Sequence, residues 1–146
     1  MKRLCIDEDT SDKVCIAMRK LRPSWNIVFV RQWAGGGIKD PVLLEPLWED
    51  RRALISRDRA TLPEWIKERQ ACGLDHAGVL FWDLERFSPG AIGALAKGAV
   101  SAVERYDDLT NVVDTISVKR SERSIRNAYG EAAAAFADPL RDRVSS

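Results

Sequence analysis

Short apolar runs of four or five residues alternate along the chain with longer stretches in which apolar positions recur every three or four residues. The first run, "RLCI" (3–6), reads as a short buried strand leading into the acidic cluster Asp7-Glu8-Asp9. The stretch "TSDKVCIAMRKLRP" then brings Val14, Met18 and Leu21 to helical spacing, with hydroxyls at its start, basic residues at its end and Pro23 beyond, the marks of a bounded helix. "NIVFV" (26–30) predicts a second strand, and the glycine-rich "AGGGIKD" leads into a helix whose apolar face holds Leu44, Leu47 and Trp48. Asp40-Pro41 has the form of an N-cap followed by proline at the first helical position. "ALIS" predicts the third strand, ending at Arg57-Asp58; "LPEWIKERQACG" a helix with Leu62, Trp65 and Ile66 on one face; and "GVLFW" a fourth strand ending at Asp83. Ser88-Pro89 opens the longest helix, with Ile92, Leu95, Ala99, Val103 and Tyr106 at helical spacing, and "NVVDTISV" (111–118) is the last strand. Such alternation predicts an α/β fold with a parallel sheet and right-handed crossovers.

From Lys119 the composition shifts to Arg, Ser, Glu and a run of alanines, so residues 1–118 read as one domain and 119–146 as a partly helical or mobile tail. With 146 residues the chain has the length of one domain. Its 23 Lys and Arg nearly balance its 22 Asp and Glu, so nucleic-acid binding would have to come from a local basic patch. Cys5, Cys15 and Cys72 show no C-x-x-C spacing and fall in apolar periodic segments, where a thiol acts as a small hydrophobe. No apolar run approaches the ~18 residues of a membrane span, and the chain reads as cytoplasmic and without membrane contact.

Several kinds of chemistry find little support. His76 is the one histidine, which excludes a histidine-rich zinc site, and its loop position reads as solvated. Cys72 has no base near it in sequence, and "AGGGIKD" lacks the Lys and Ser/Thr of a phosphate loop. The tryptophans read as core, except Trp33 beside the glycines, which has the option of stacking on a base with Arg31 or Arg57 near phosphate.

The informative feature is where the carboxylates fall. Ligands of open parallel sheets gather at the carboxyl ends of the strands. Asp7 follows strand one, Asp58 strand three and Asp83 strand four, while Asp40 starts the helix before strand three. Each has a structural reading as a cap or a solvated turn residue. Together on one edge they would repel one another unless a hard divalent cation such as Mg²⁺ or Mn²⁺ neutralised them.

The order "LCIDEDTSDKV" followed by "GGGIKDPVLLEPLWEDRRALISRD" resembles PIN-like nucleases, specifically the short bacterial branch found in toxin–antitoxin pairs. That branch begins with a strand ending Asp-Glu-Asn and continues to a strand ending Thr-Arg-Asp. The resemblance covers about residues 1–87. It implies a three-layer α/β/α sandwich with a mainly parallel sheet, and a metal-dependent endoribonuclease acting on RNA, single-stranded by preference, as the toxin of a pair with a cognate antitoxin. By position it makes Asp7, Asp40 and Asp58 catalytic metal ligands, with Glu8 beside them and Mg²⁺ or Mn²⁺ as cofactor. The sequence departs from the branch in Asp9, where Asn is usual, in Ser56, where Thr is usual, and in lacking an Asp-Phe pair after Asp58.

Two other readings stand beside it. A catalytically inactive PIN-like interaction module would keep the fold without activity. A receiver-like signalling domain would use Asp7, Glu8 and Asp58 around a phosphorylation site and Lys119 as its lysine, but it lacks a Ser or Thr at the end of strand four. The Arg-rich tail or the long helix would supply an antitoxin contact or a homo-oligomer surface.

Overall fold

The computed structural model describes residues 2–34, 40–83 and 89–118, without the side chains of residues 34, 40–42 and 89. Its elements are β1 (Arg3–Ile6), α1 (Asp12–Leu21), β2 (Asn26–Phe29), α2 (Val30–Ala34), α3 (Asp40–Glu49), β3 (Ala53–Ser56), α4 (Leu62–Ala71), β4 (Val79–Trp82), α5 (Ile92–Glu104) and β5 (Val113–Ile116). A 3₁₀ turn at Pro89–Ala91 precedes α5, so the longest helix begins a turn later than the Ser88-Pro89 start expected from sequence. The glycine-rich loop and the tail from Lys119 lie outside the described residues.

All five strands are parallel, in the order β2-β1-β3-β4-β5. Because side chains alternate across a strand, parity sorts the core into two layers. Leu4, Ile6, Ala53, Ile55, Leu80, Trp82 and Ile116 point to one face, where α1 adds Val14 and Met18 and α5 adds Leu95, Ala99 and Val103. Cys5, Leu54, Val79 and Phe81 point to the other, against Val30 of α2, Leu43 and Leu47 of α3, and Leu62 and Ile66 of α4. This is the three-layer α/β/α sandwich expected from the sequence.

The expectation of right-handed crossovers fails at the last one. β3 to β4 and β4 to β5 step the same way along the sheet, yet α4 lies on one face and α5 on the other. The β4–α5–β5 connection therefore has the opposite hand to the other three, an arrangement found in only about 2% of such units. Its compensation is helix packing: α5 carries the small buried residues Ala96, Ala99 and Ala102 and packs beside α1. The other face is left open over β5, where Val113 is half-exposed.

The amino ends of the central strands are tied by Arg52, which is buried. Its Nη1 donates to the carbonyls of Leu4 (3.2 Å) and Asn26 (3.1 Å), and its Nε to Asp50 Oδ2 (2.7 Å). The ring of Trp33 lies 5.7 Å from the same guanidinium. Of the cysteines, Cys5 and Cys15 are buried as expected, and burial pushes the Cys5 thiol up to about 12; Cys72 is exposed, contrary to its apolar reading. Trp65 is likewise exposed at the rim while its neighbours Leu62 and Ile66 enter the core.

His76 also departs from expectation: it is buried, not solvated. Its Nδ1 accepts from the N–H of Gly78 (3.1 Å), which places the ring proton on Nε2, and Nε2 meets no partner among the described residues. Burial, with Arg69 nearby, lowers its pKa from the ordinary 6.5. The unfolded chain therefore takes up this proton first, so stability is complete above pH 6.5 and declines as pH falls below it. Denaturant titrations on either side of pH 6.5 should show this loss in the wild type and a shallower one in His76→Gln; equal slopes would rule His76 out as the cause.

Gly78 sits in the same turn at φ +107°, and a Cβ there would stand 2.5 Å from the carbonyl oxygen of Leu109. Gly73 also has positive φ (+73°) but open space around it. Gly73→Ala should cost about 1 kcal/mol, the price of conformation alone, and Gly78→Ala about 3 kcal/mol or more. Equal losses in urea denaturation would contradict the close approach at Gly78.

Candidate functional site

The strand order reverses direction at β1 and β3, and the crevice outside their carboxyl ends is the ligand position of an open parallel sheet. Ile6 pairs with Ile55, and the N–H of Asp7 donates to the carbonyl of Ile55 (3.0 Å), so the next residues, Asp7 and Ser56, lie side by side. Parity turns both toward the α3/α4 layer. Ser56 is fully buried and Asp7 nearly so.

Ser56 Oγ lies 2.8 Å from Asp7 Oδ2 and 3.1 Å from Asp9 Oδ2. It accepts the N–H of Asp58 (3.0 Å). A hydroxyl has one hydrogen, so it serves one of the two carboxylates at a time. The two carboxylate oxygens are less than about 6 Å apart, within the range at which like charges raise each other's pKa. Burial, and for Asp7 also the charge of Asp9, raises both carboxyls above 3.8, against hydrogen bonds that favour the ionised form. Those bonds come to Asp7 Oδ1 from the N–H of Glu8 (2.8 Å), and to Asp9 Oδ2 from the N–H of Arg57 (3.0 Å). A chain runs on from Asp9 across the sheet: Thr10 Oγ1 donates to Asp9 Oδ1 (3.2 Å) and accepts from Trp82 Nε1 (3.0 Å). The turn after β1 is thereby fastened to the end of β4.

The residues expected from sequence are distributed as follows. Asp7 is in the pair. Glu8 turns outward to an exposed ion pair with Arg31 (3.4 Å). Asp58 closes the turn that precedes α4: Oδ1 accepts from the N–H groups of Ala60 (3.1 Å) and Thr61 (2.9 Å), and Oδ2 from the Thr61 hydroxyl. Asp40 begins α3, and its side chain lies outside the described residues. Arg57 reaches the site through its N–H and through Nη1, which donates to the Asp9 carbonyl (3.3 Å). Trp33 is partly buried and packs against the α3/α4 core, with its ring 5.7 Å from the Arg52 guanidinium. Asp83 is exposed and paired with Arg59 (3.0 Å). Asp9 and Ser56 were not among the expected site residues. The register of β1 against β3 was the one signal for Ser56, and Asp9 reads in sequence as a helix cap, a task Ser11 performs by accepting from Lys13 N–H (3.2 Å).

Beside the pair opens a cleft of about 620 Å³ lined by Asp9, Arg57, Asp58, Arg59, Trp82 and Asp83. Among the described residues no group of three or more His, Cys, Asp or Glu side chains is placed to hold a metal ion. Asp7 and Asp9 nevertheless bring two carboxylates together on one shared hydroxyl, and hard oxygen donors of this kind are what a hard divalent cation takes.

No protein-family model matches the sequence, and no curated protein or solved structure matches it.

Since both carboxyls titrate above 3.8, their ionisation costs the folded state more than the unfolded one, and stability is lost as pH rises through that range. Asp7→Asn would remove one charge and let its amide donate to Ser56 Oγ, freeing the serine hydrogen for Asp9. Metal-free Asp7→Asn should therefore be more stable than wild type at neutral pH, by on the order of 1 kcal/mol. A lower denaturation midpoint for the variant would show that the Asp7 carboxylate stabilises the fold.

Proposed function

We propose that the chain is a metal-dependent ribonuclease of PIN-like type, with Asp7 and Asp9 at the centre of its metal site. The observation that carries this reading is the single Ser56 hydrogen between two carboxylates at the switch point of the sheet. Asp7 and Asp9 would hold Mg²⁺ or Mn²⁺, with Asp40 and Asp58 as the further carboxylates of the edge. When bound, the cation lowers the pKa of water and offsets charge on the scissile phosphate. Ser56 fixes the angle of both carboxylates, and the Arg57 N–H and Thr10 hydroxyl hold Asp9 against rotation. Arg57, at the mouth of the cleft, meets the phosphodiester backbone. The RNA is read as single-stranded, and the partner as an antitoxin bound by the segment 119–146.

A second reading, the PIN-like module without catalysis, is favoured by one observation: the Asp58 carboxylate accepts three hydrogen bonds within the turn before α4. The same turn weighs against a receiver-like domain, where Asp58 would be the phosphate acceptor.

Calorimetric titration with Mn²⁺ separates these. The nuclease reading expects binding by wild type, loss in Asp7→Asn and Asp9→Asn, and weakening in Asp40→Asn, with RNA cleavage reduced about a thousandfold in Asp7→Asn. Absence of Mn²⁺ binding to wild type at millimolar concentration would leave the interaction module. Tight binding unaffected by Asp9→Asn would remove Asp9 from the site.

A further inference from the structure

The cleft beside Asp7 and Asp9 contains one guanidinium held in an incomplete set of bonds. Arg59 Nη2 donates to the main-chain carbonyl of Trp82 (2.7 Å) and to Asp83 Oδ1 (3.0 Å). A guanidinium has five N–H donors in a fixed plane, and the three on Nε and Nη1 make no hydrogen bond among the described residues. The Trp82 carbonyl belongs to a strand end, and the Trp82 ring is buried, so one corner of the Arg59 fork is anchored to the sheet while the rest faces the cleft it lines. An anchored fork with an unused edge suits bidentate capture of a phosphate.

The charges around it set a condition. The cleft is lined by three carboxylates, Asp9, Asp58 and Asp83, against two guanidiniums, Arg57 and Arg59, with Asp7 buried behind. By itself this lining repels a polyanion. A divalent cation at Asp7 and Asp9 cancels this excess of negative charge. We propose that Arg59 is a phosphate-binding residue for single-stranded RNA whose fork exchanges Asp83 for a backbone phosphate, and that this exchange follows cation binding. The proposal rests on the ribonuclease reading and deepens it, by naming an order of binding and a residue that no metal-ligand pattern includes.

The test is fluorescence anisotropy with a short labelled oligouridylate, with and without Ca²⁺, alongside calorimetric titration of each protein with Ca²⁺ alone. Ca²⁺ serves as a hard oxygen-seeking cation in place of Mg²⁺ or Mn²⁺. Arg59 and Asp83 are both about half-exposed, so Arg59→Ala and Asp83→Asn should fold as wild type does. Wild type should bind the RNA in Ca²⁺ and lose it in chelator. Arg59→Ala should bind RNA about tenfold more weakly with unchanged Ca²⁺ affinity, and Asp83→Asn, which removes the competing carboxylate, about threefold more tightly. If Arg59→Ala binds RNA as wild type does, or loses Ca²⁺ affinity in parallel, the assignment of Arg59 is overturned while the metal site stands. If wild type binds Ca²⁺ but no RNA, or binds RNA equally well in chelator, the order of binding falls. If it binds neither, the ribonuclease reading falls with it.

Discussion

One hydroxyl hydrogen between two carboxylates governs this molecule's candidate site. Ser56 is the last residue of β3, fully buried, and it is the only side-chain donor that Asp7 has among the described residues. It also receives the N–H of Asp58 and so sets the start of the turn that leads into α4. The end of the central strand, the acidic turn after β1 and the entry to the next helix thus meet at one oxygen. Thr10 and the Trp82 indole extend this network to β4.

The scaffold is held at one end of the sheet, and the like charges gather at the other. The two apolar layers and the Arg52 bonds at the amino ends of the strands hold the sheet without help from the acidic edge. At the carboxyl ends, one buried and one partly buried carboxylate, both with raised pKa values, weaken the fold at neutral pH. A fold that keeps such a pair where parallel sheets bind ligands is consistent with a cation site, since a cation would convert the repulsion into binding energy. The hydrogen bonds that draw Asp58 into the turn before α4 are why an interaction module is the competing account.

Most of the architecture was legible because alternation is local. Each four-residue apolar run became a strand, and the spacing of Val14 and Met18, or of Leu62 and Ile66, chose the buried side of its helix. What periodicity does not carry is the layer a helix joins. α5 has a clear apolar face, but only its packing beside α1 decides that it lies opposite to α4, and so the unusual hand of the last crossover was invisible. His76 was misread for the same reason: its partner, the Gly78 N–H, is set by tertiary packing. At the site, resemblance pointed to Asp7 and Asp58 by position. It passed over Asp9 and Ser56, where this chain differs from the pattern, and those two differences are what the structure joins by a hydrogen bond.

The most direct test of this account is anomalous diffraction from a crystal equilibrated with Mn²⁺. The account predicts a peak in contact with both Asp7 and Asp9, with the Ser56 hydroxyl retained by one of them. A crystal with no peak at this pair, or with manganese only at the exposed Glu8, would contradict it, and would mean that the shared hydrogen of Ser56 serves the fold alone.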